Sequence, residues 1–83
     1  MDLFAVYLGG PVAPGRMGED HEVVFVVAAD DAQARVLAKA KWTGLGRCHV
    51  DAVQRLDEVD GHVVSLAPSS AGRAEGARRG ETA

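Results

Sequence analysis

Residues 3–8 read LFAVYL, a continuous apolar run that stops at Gly9-Gly10-Pro11. Both alternating sets of positions in this run are apolar, whereas a strand with one solvated face alternates apolar with polar residues. The run therefore predicts a first β-strand that needs cover on both faces. Residues 22–28, EVVFVVA, are rich in β-branched side chains that pack well on a pleated surface, and they predict a second strand of the same kind.

A helix is predicted after the two strands, from about Asp31 to Trp42. Asp30 and Asp31 suit the free amides and the positive dipole at its start, and two lysines suit its end. Its inward stripe is expected to consist of small and branched apolar residues: Ala32, Val36, Leu37 and Ala40.

From Cys48 the apolar period changes to two, which predicts a half-solvated third strand. One of its faces is expected to carry Cys48, Val50, Ala52 and Leu56, and the other His49, Asp51 and Arg55. The Asp60-Gly61 pair predicts a hairpin into a fourth strand over residues 62–67. The fold class is thus α+β, a small sheet of about four strands with one helix on one face. Whether the first strand lies beside the second or the fourth is left open.

The domain is expected to span residues 1–67, followed by a disordered tail over 68–83. The tail contains no large apolar side chain and cannot offset its ordering entropy by burial.

Residues 1–67 hold six Lys and Arg against ten Asp and Glu, a net charge of −4, which repels phosphate and makes nucleic acid an unsuitable partner.

Membrane insertion and disulfide bonding are both disfavoured by the sequence. The apolar runs fall far short of the roughly twenty residues that span a bilayer, and the start of the chain lacks a basic segment typical of a signal peptide. The single cysteine, Cys48, cannot form a disulfide within the chain. A cytoplasmic location is expected.

The order of short motifs along the chain resembles the DUF1543 family of small bacterial proteins of unknown function. The motifs are the first strand ending in Tyr7-Leu8-Gly9-Gly10, then Ala13-Pro14-Gly15, the strand over residues 21–27, Trp42-Thr43-Gly44, His49-Val50-Asp51, and residues 59–62. The resemblance covers nearly all of residues 3–66. It implies a fold and a domain that occurs once or twice per chain, and it implies no reaction.

The Gly-rich segment over residues 9–20 is predicted to be a loop, and Gly9, Gly10 and Gly15 are candidate contacts for a ligand or a partner. Phosphate-binding loops end at a helix N-terminus, whereas this segment leads into a strand and has no Walker lysine. A shaped turn or a partner-contact loop is therefore the favoured interpretation.

His49 and Asp51 are two residues apart in a strand, so their side chains are expected on one face. The two side chains could share a proton or a metal ion. The sequence shows no third catalytic residue and no metal-ligand spacing, which favours a hydrogen-bonded surface pair. His21 and Trp42 complete the set of candidates, with Trp42 expected to cover the sheet edge or a partner rather than a ligand.

No catalytic residue, metal ligand or cofactor follows from these residues, and an enzyme is the less favoured class. We expect a non-enzymatic interaction module that forms a homodimer through the sheet face opposite the helix, because one helix can cover only one of two apolar faces. The alternative is a small-molecule-binding domain or enzyme that uses the Gly-rich loop with His21, His49, Asp51 and Trp42.

Overall fold

The computed structural model describes residues 1–70, which form one helix and a small antiparallel sheet. The elements follow the order β1 (Asp2–Pro11), β2 (Glu19–Ala28), α1 (Asp31–Lys39), β3 (His49–Arg55), β4 (Glu58–Val59) and β5 (His62–Val63). The predicted α+β class is confirmed. The predicted tail lies outside the described residues from 71 onward, and residues 68–70 belong to no helix or strand.

The main sheet has three strands in the order β2-β1-β3, with β1 antiparallel to both neighbours. The strand order that the sequence left open is therefore resolved, with β1 at the centre. Since β2 and β3 are each antiparallel to β1, they run parallel to each other. The connection between them passes through α1, which packs against all three strands from one side.

The ladder between β1 and β2 is longer than predicted. It runs from the pair Asp2 and Ala28 to the pair Pro11 and Glu19. The predicted loop over residues 9–20 accordingly shrinks to residues 12–18, and Gly9 and Gly10 are buried positions of β1. Glycines and a proline mark turns in most sequences, but here the ladder continues through two glycines before the chain reverses.

The hairpin predicted at Asp60-Gly61 is present, but its strands are only two residues long and form a ribbon apart from the main sheet. Asp60 and Gly61 have positive φ angles of 52° and 77°, as a tight two-residue hairpin turn requires. The predicted fourth strand is thus not part of the main sheet. β3 leaves that sheet after the Leu56 amide donates to the Leu3 carbonyl, where β1 begins.

Helix α1 starts as predicted, because the Asp30 side chain accepts a hydrogen bond from the Gln33 amide at 2.8 Å. The predicted inward stripe of Ala32, Val36, Leu37 and Ala40 is wrong: the buried residues are Ala34 and Ala38, and Val36 is 70% exposed. The reason is Trp42, which packs against the core just beyond the helix. Positions 34, 38 and 42 follow a spacing of four and turn toward the sheet together.

The core lies between α1 and the facing side of the sheet. Its buried members are Phe4, Val6, Leu8, Val26 and Ala28 from the strands and Ala34 and Ala38 from the helix. The two buried side chains of α1, Ala34 and Ala38, are methyl groups, so the helix can approach the sheet closely. Among residues 1–70 the fully buried large side chains are Leu8 and Val6, which makes the core small.

A β-bulge in β3 changes which of its residues face the core. The register shifts between Tyr7 and Leu8, whose partners are Ala52 and Val50, so Asp51 is the extra residue. The predicted face of Cys48, Val50, Ala52 and Leu56 is therefore wrong at Ala52, which pairs with Tyr7 and is exposed. Val53 takes the inward position opposite Val6, and Arg55 pairs with Phe4 instead of sharing a face with Asp51.

Candidate functional site

The face of the sheet opposite α1, called the open face below, is covered by no helix or strand within residues 1–70. Large apolar side chains stand on it: Tyr7 is 40% exposed, Val23 48%, Phe25 56% and Val27 45%. Their neighbours along the same strands, such as Val6 and Val26, are buried against the helix. The most exposed apolar surface of the sheet is therefore concentrated on one side.

Cross-strand pairs divide the open face into successive rungs, each about 6.6 Å from the next along the strands. From one end to the other they are Leu3 with Val27, Ala5 with Phe25 and Gln54, Tyr7 with Val23 and Ala52, Gly9 with His21 and His49, and Pro11 with Glu19. The first three rungs are mainly apolar. The last two carry ionisable groups, so the open face has an apolar part and an ionisable end.

The ionisable end contains a cluster of Glu19, His21, His49 and Asp51, called the ionisable cluster below. His49 Nε2 lies 3.0 Å from Asp51 Oδ1 and 3.6 Å from Glu19 Oε2. His21 Nε2 lies 3.3 Å from Glu19 Oε1. One carboxylate thus touches both imidazoles, and one imidazole touches both carboxylates.

Gly9 forms the floor of this cluster. It pairs with His21 on one side and His49 on the other, so both histidines flank a residue without a side chain. A Cβ atom at Gly9 would stand 2.8 Å from His49 Nε2, 3.0 Å from Asp51 Oδ2 and 3.2 Å from Glu19 Oε1. The polar atoms therefore converge on space that only glycine leaves free.

A shallow depression of about 350 Å³ lies where the ionisable cluster meets the apolar part of the open face. Its lining contains both apolar and ionisable residues: Tyr7, Leu8, His21, Glu22, Val23, Asp51 and Ala52. The arrangement can hold a cation through carboxylates and imidazoles, or apolar side chains of another chain, side by side on one surface.

Trp42 and Gly10 meet on the helix side of the sheet, away from the open face. A Cβ at Gly10 would stand 2.5 Å from Trp42 Cζ2, so the indole ring lies directly over the glycine. The indole Nε1 donates a hydrogen bond to the Leu45 carbonyl at 3.2 Å. Trp42 consequently anchors the segment after α1 onto β1.

The seven candidate residues of the sequence fall into three places. Gly9, His21, His49 and Asp51 come together on the open face. Gly10 and Trp42 contact each other on the opposite side. Gly15 lies in the loop over residues 12–18 with a positive φ of 87°, and a Cβ there would meet no atom within 4 Å.

Glu19 is the member of the ionisable cluster that sequence reasoning missed. The second strand was predicted to begin at residue 22, which placed Glu19 in a loop. In the structure β2 begins at Glu19, so Glu19 and His21 share a face by the period of two. The polar run Glu19-Asp20-His21-Glu22 directly before the apolar strand was the available signal.

Comparison with protein families matches residues 16–66 to one described as Domain of Unknown Function (DUF1543). This match covers more than half of the chain, and the chain belongs to that family. The resemblance noted from the sequence is thereby confirmed. Searches of curated proteins and of solved structures found no match.

Helix α1 has nine residues, and no helix within residues 1–70 is long and apolar enough to cross a membrane.

Proposed function

For this member of a family of unknown function, we propose a non-enzymatic role as a protein-interaction module that pairs with a second copy of itself through the open face. The observation that carries the proposal is the exposure of Tyr7, Val23, Phe25 and Val27 on one side of the sheet. An exposed apolar patch of this kind on a small domain marks an interface more often than a free surface.

The size of the patch fits a pairing surface. At about 200 Å² for a fully exposed aromatic side chain, Tyr7 and Phe25 together expose roughly 190 Å². The two valines and the neighbouring rungs bring the apolar area to several hundred Å² per subunit, on the order of what small specific interfaces bury. Two such faces can stack about 10 Å apart, as sheets do in sandwiches.

A second copy is the proposed occupant, because no helix or strand within residues 1–70 covers the open face. Residues 71–83 read AGRAEGARRGETA and hold no apolar side chain larger than alanine. A two-fold axis brings identical patches together, and each apolar rung then meets an apolar rung of the partner. Pairing would also add a second apolar layer to a domain in which the described part of the chain has two fully buried large side chains.

We place this module in the cytoplasm. The chain has one cysteine, Cys48, and stabilisation by pairing suits a compartment in which disulfides do not persist.

The alternative, a small-molecule site built from the Gly-rich loop with Trp42 and the histidines, has less support. Trp42 and Gly15 lie apart from His21, His49 and Asp51 in the structure.

Sedimentation equilibrium from micromolar to millimolar concentration tests the proposal. The wild-type chain is expected to have twice the chain mass, and Phe25→Lys is expected to shift the protein to the monomer mass while circular dichroism stays that of a folded domain. Val36→Lys is the matched control, because Val36 is an exposed apolar residue on the outer side of α1. A wild-type monomer throughout this range would contradict the proposal, as would equal dissociation by both substitutions.

A further inference from the structure

We propose that the ionisable cluster binds one divalent metal ion of the zinc type, with Glu19, His49 and Asp51 as its protein ligands. The three residues come from two strands on opposite sides of β1, and their ligand atoms all lie within 4.8 Å of one another. The site lies within a single chain, so this inference does not depend on pairing through the open face.

The spacing of the ligand atoms fits a tetrahedral ion. Zinc holds nitrogen and oxygen ligands at about 2.0–2.2 Å, which places neighbouring ligand atoms about 3.4 Å apart. The separations of His49 Nε2 from Asp51 Oδ1 and from Glu19 Oε2, 3.0 and 3.6 Å, lie on either side of that value. The third separation, between Glu19 and Asp51, lies within the 4.8 Å that encloses all three ligand atoms.

Gly9 supplies the space for the ion's ligands. The point where its Cβ would stand lies 2.8–3.2 Å from one polar atom of each of His49, Asp51 and Glu19. Three side chains of different residues therefore aim at one place, although each is about half exposed and could extend into solvent instead.

Two carboxylates in this cluster approach one imidazole nitrogen. His49 Nε2 can carry one proton and donate to one acceptor well, yet Glu19 and Asp51 both approach it. Within residues 1–70 these two carboxylates have no ion-pair partner other than histidine. A divalent cation accepts a lone pair from the imidazole and from both carboxylates at once and neutralises their charge.

The imidazole selects the class of metal. Mg²⁺ and Ca²⁺ prefer oxygen ligands alone, whereas a mixed set of imidazole and carboxylates suits Zn²⁺ and related transition metals. The side chains of His49, Glu19 and Asp51 are 51%, 47% and 44% exposed, so at least one coordination position stays open to solvent. His21, which contacts Glu19, is the nearest further imidazole.

The test is titration of the full-length chain, freed of any affinity tag and of bound metal, with Zn²⁺ by calorimetry and with Co²⁺ by visible absorption. One ion per chain is expected, with no comparable binding of Mg²⁺. His49→Ala and Asp51→Asn are expected to weaken Zn²⁺ binding at least about tenfold. His62→Ala and Asp57→Asn are the matched controls, since these residues lie outside the cluster, and both are expected to bind as the wild type does.

Two further variants separate this inference from its alternatives. Gly9→Ala keeps every ligand but places a methyl group among them, so it is expected to weaken Zn²⁺ binding while circular dichroism shows a folded domain. Phe25→Lys contributes no ligand and is expected to bind one ion per chain whether or not the protein pairs. Absence of Zn²⁺ binding by the wild type, or equal loss in His49→Ala and His62→Ala, would overturn the proposal.

Discussion

Val6 and Tyr7 are adjacent in the central strand β1 and point to opposite faces of the sheet: Val6 has no exposed surface, and Tyr7 is 40% exposed. Val6 packs in the core beneath α1, and Tyr7 stands in the middle of the open face. The same substitution at these two positions should therefore separate folding from pairing.

Val6→Asp is expected to unfold the subunit, because it buries a charge without a partner at a cost of several kcal/mol. That cost is comparable with the entire stability of a domain of this size, about 4–10 kcal/mol. Tyr7→Asp is expected to yield a folded monomer. Circular dichroism and sedimentation equilibrium of both variants check this, and a folded dimer in Tyr7→Asp would show that the open face is not the pairing surface.

Gly10→Ala is expected to destabilise the domain by about 1–3 kcal/mol, because the added Cβ would stand 2.5 Å from Trp42 Cζ2 and force the indole ring to move. Urea denaturation measures the change in the free energy of unfolding. A double-mutant cycle supplies the control: in a Trp42→Ala background the same glycine substitution should cost much less. Equal costs in both backgrounds would mean that the ring is not the obstacle.

Asp30→Ala is expected to lower the free energy of unfolding by about 0.5–2 kcal/mol, since the Asp30 carboxylate accepts a hydrogen bond from the Gln33 amide at the start of α1. Asp30→Asn keeps an oxygen that can accept this bond and should leave stability nearly unchanged. Thermal denaturation of the three proteins makes the comparison. A loss in the asparagine variant as large as that in the alanine variant would assign the effect to charge instead of capping.

Ending the chain at Ser70 is expected to leave the melting temperature within about 2 °C of the full-length value. Residues 71–83 contain no large apolar side chain, and in a small domain a change of 1 kcal/mol shifts the melting temperature by roughly 4–8 °C. Calorimetry of the two chains at equal concentration provides the measurement. A larger decrease would show that residues 71–83 stabilise the folded domain.

Local patterns were sufficient to predict the presence of β1, β2, α1 and β3 and the turn of the hairpin, but not the short strands on either side of that turn. The apolar runs at residues 3–8 and 22–28 predicted two strands with apolar residues at both alternating sets, and Asp30 marked the start of α1. The Asp60-Gly61 turn was also predicted. These signals depend on residues within a few positions of each other, so the sequence alone contains them.

The composition of the candidate site was only partly predictable. His49 and Asp51 were expected to share a face because they are two residues apart, and they do. Their contact with Glu19 depends on the antiparallel registers of β2 and β3 with β1, which bring residues thirty positions apart over Gly9. No local pattern specifies such a register, because it is set between strands far apart in the chain, and β1 is apolar at both alternating sets, so a shift by one residue would still place apolar side chains on both faces.

The sequence by itself determined that β1 and β2 carry apolar side chains on both faces and that a single helix is available to cover them. Which face the helix covers was decided only in the tertiary structure, where Trp42 packs over Gly10 and turns Ala34 and Ala38 toward Val6 and Leu8. Both alternating sets of β1 are apolar, so hydrophobicity alone does not distinguish them. What distinguishes them is the packing of Trp42, Ala34 and Ala38 against the face that carries Val6 and Leu8, which leaves Tyr7 and Phe25 on the open face.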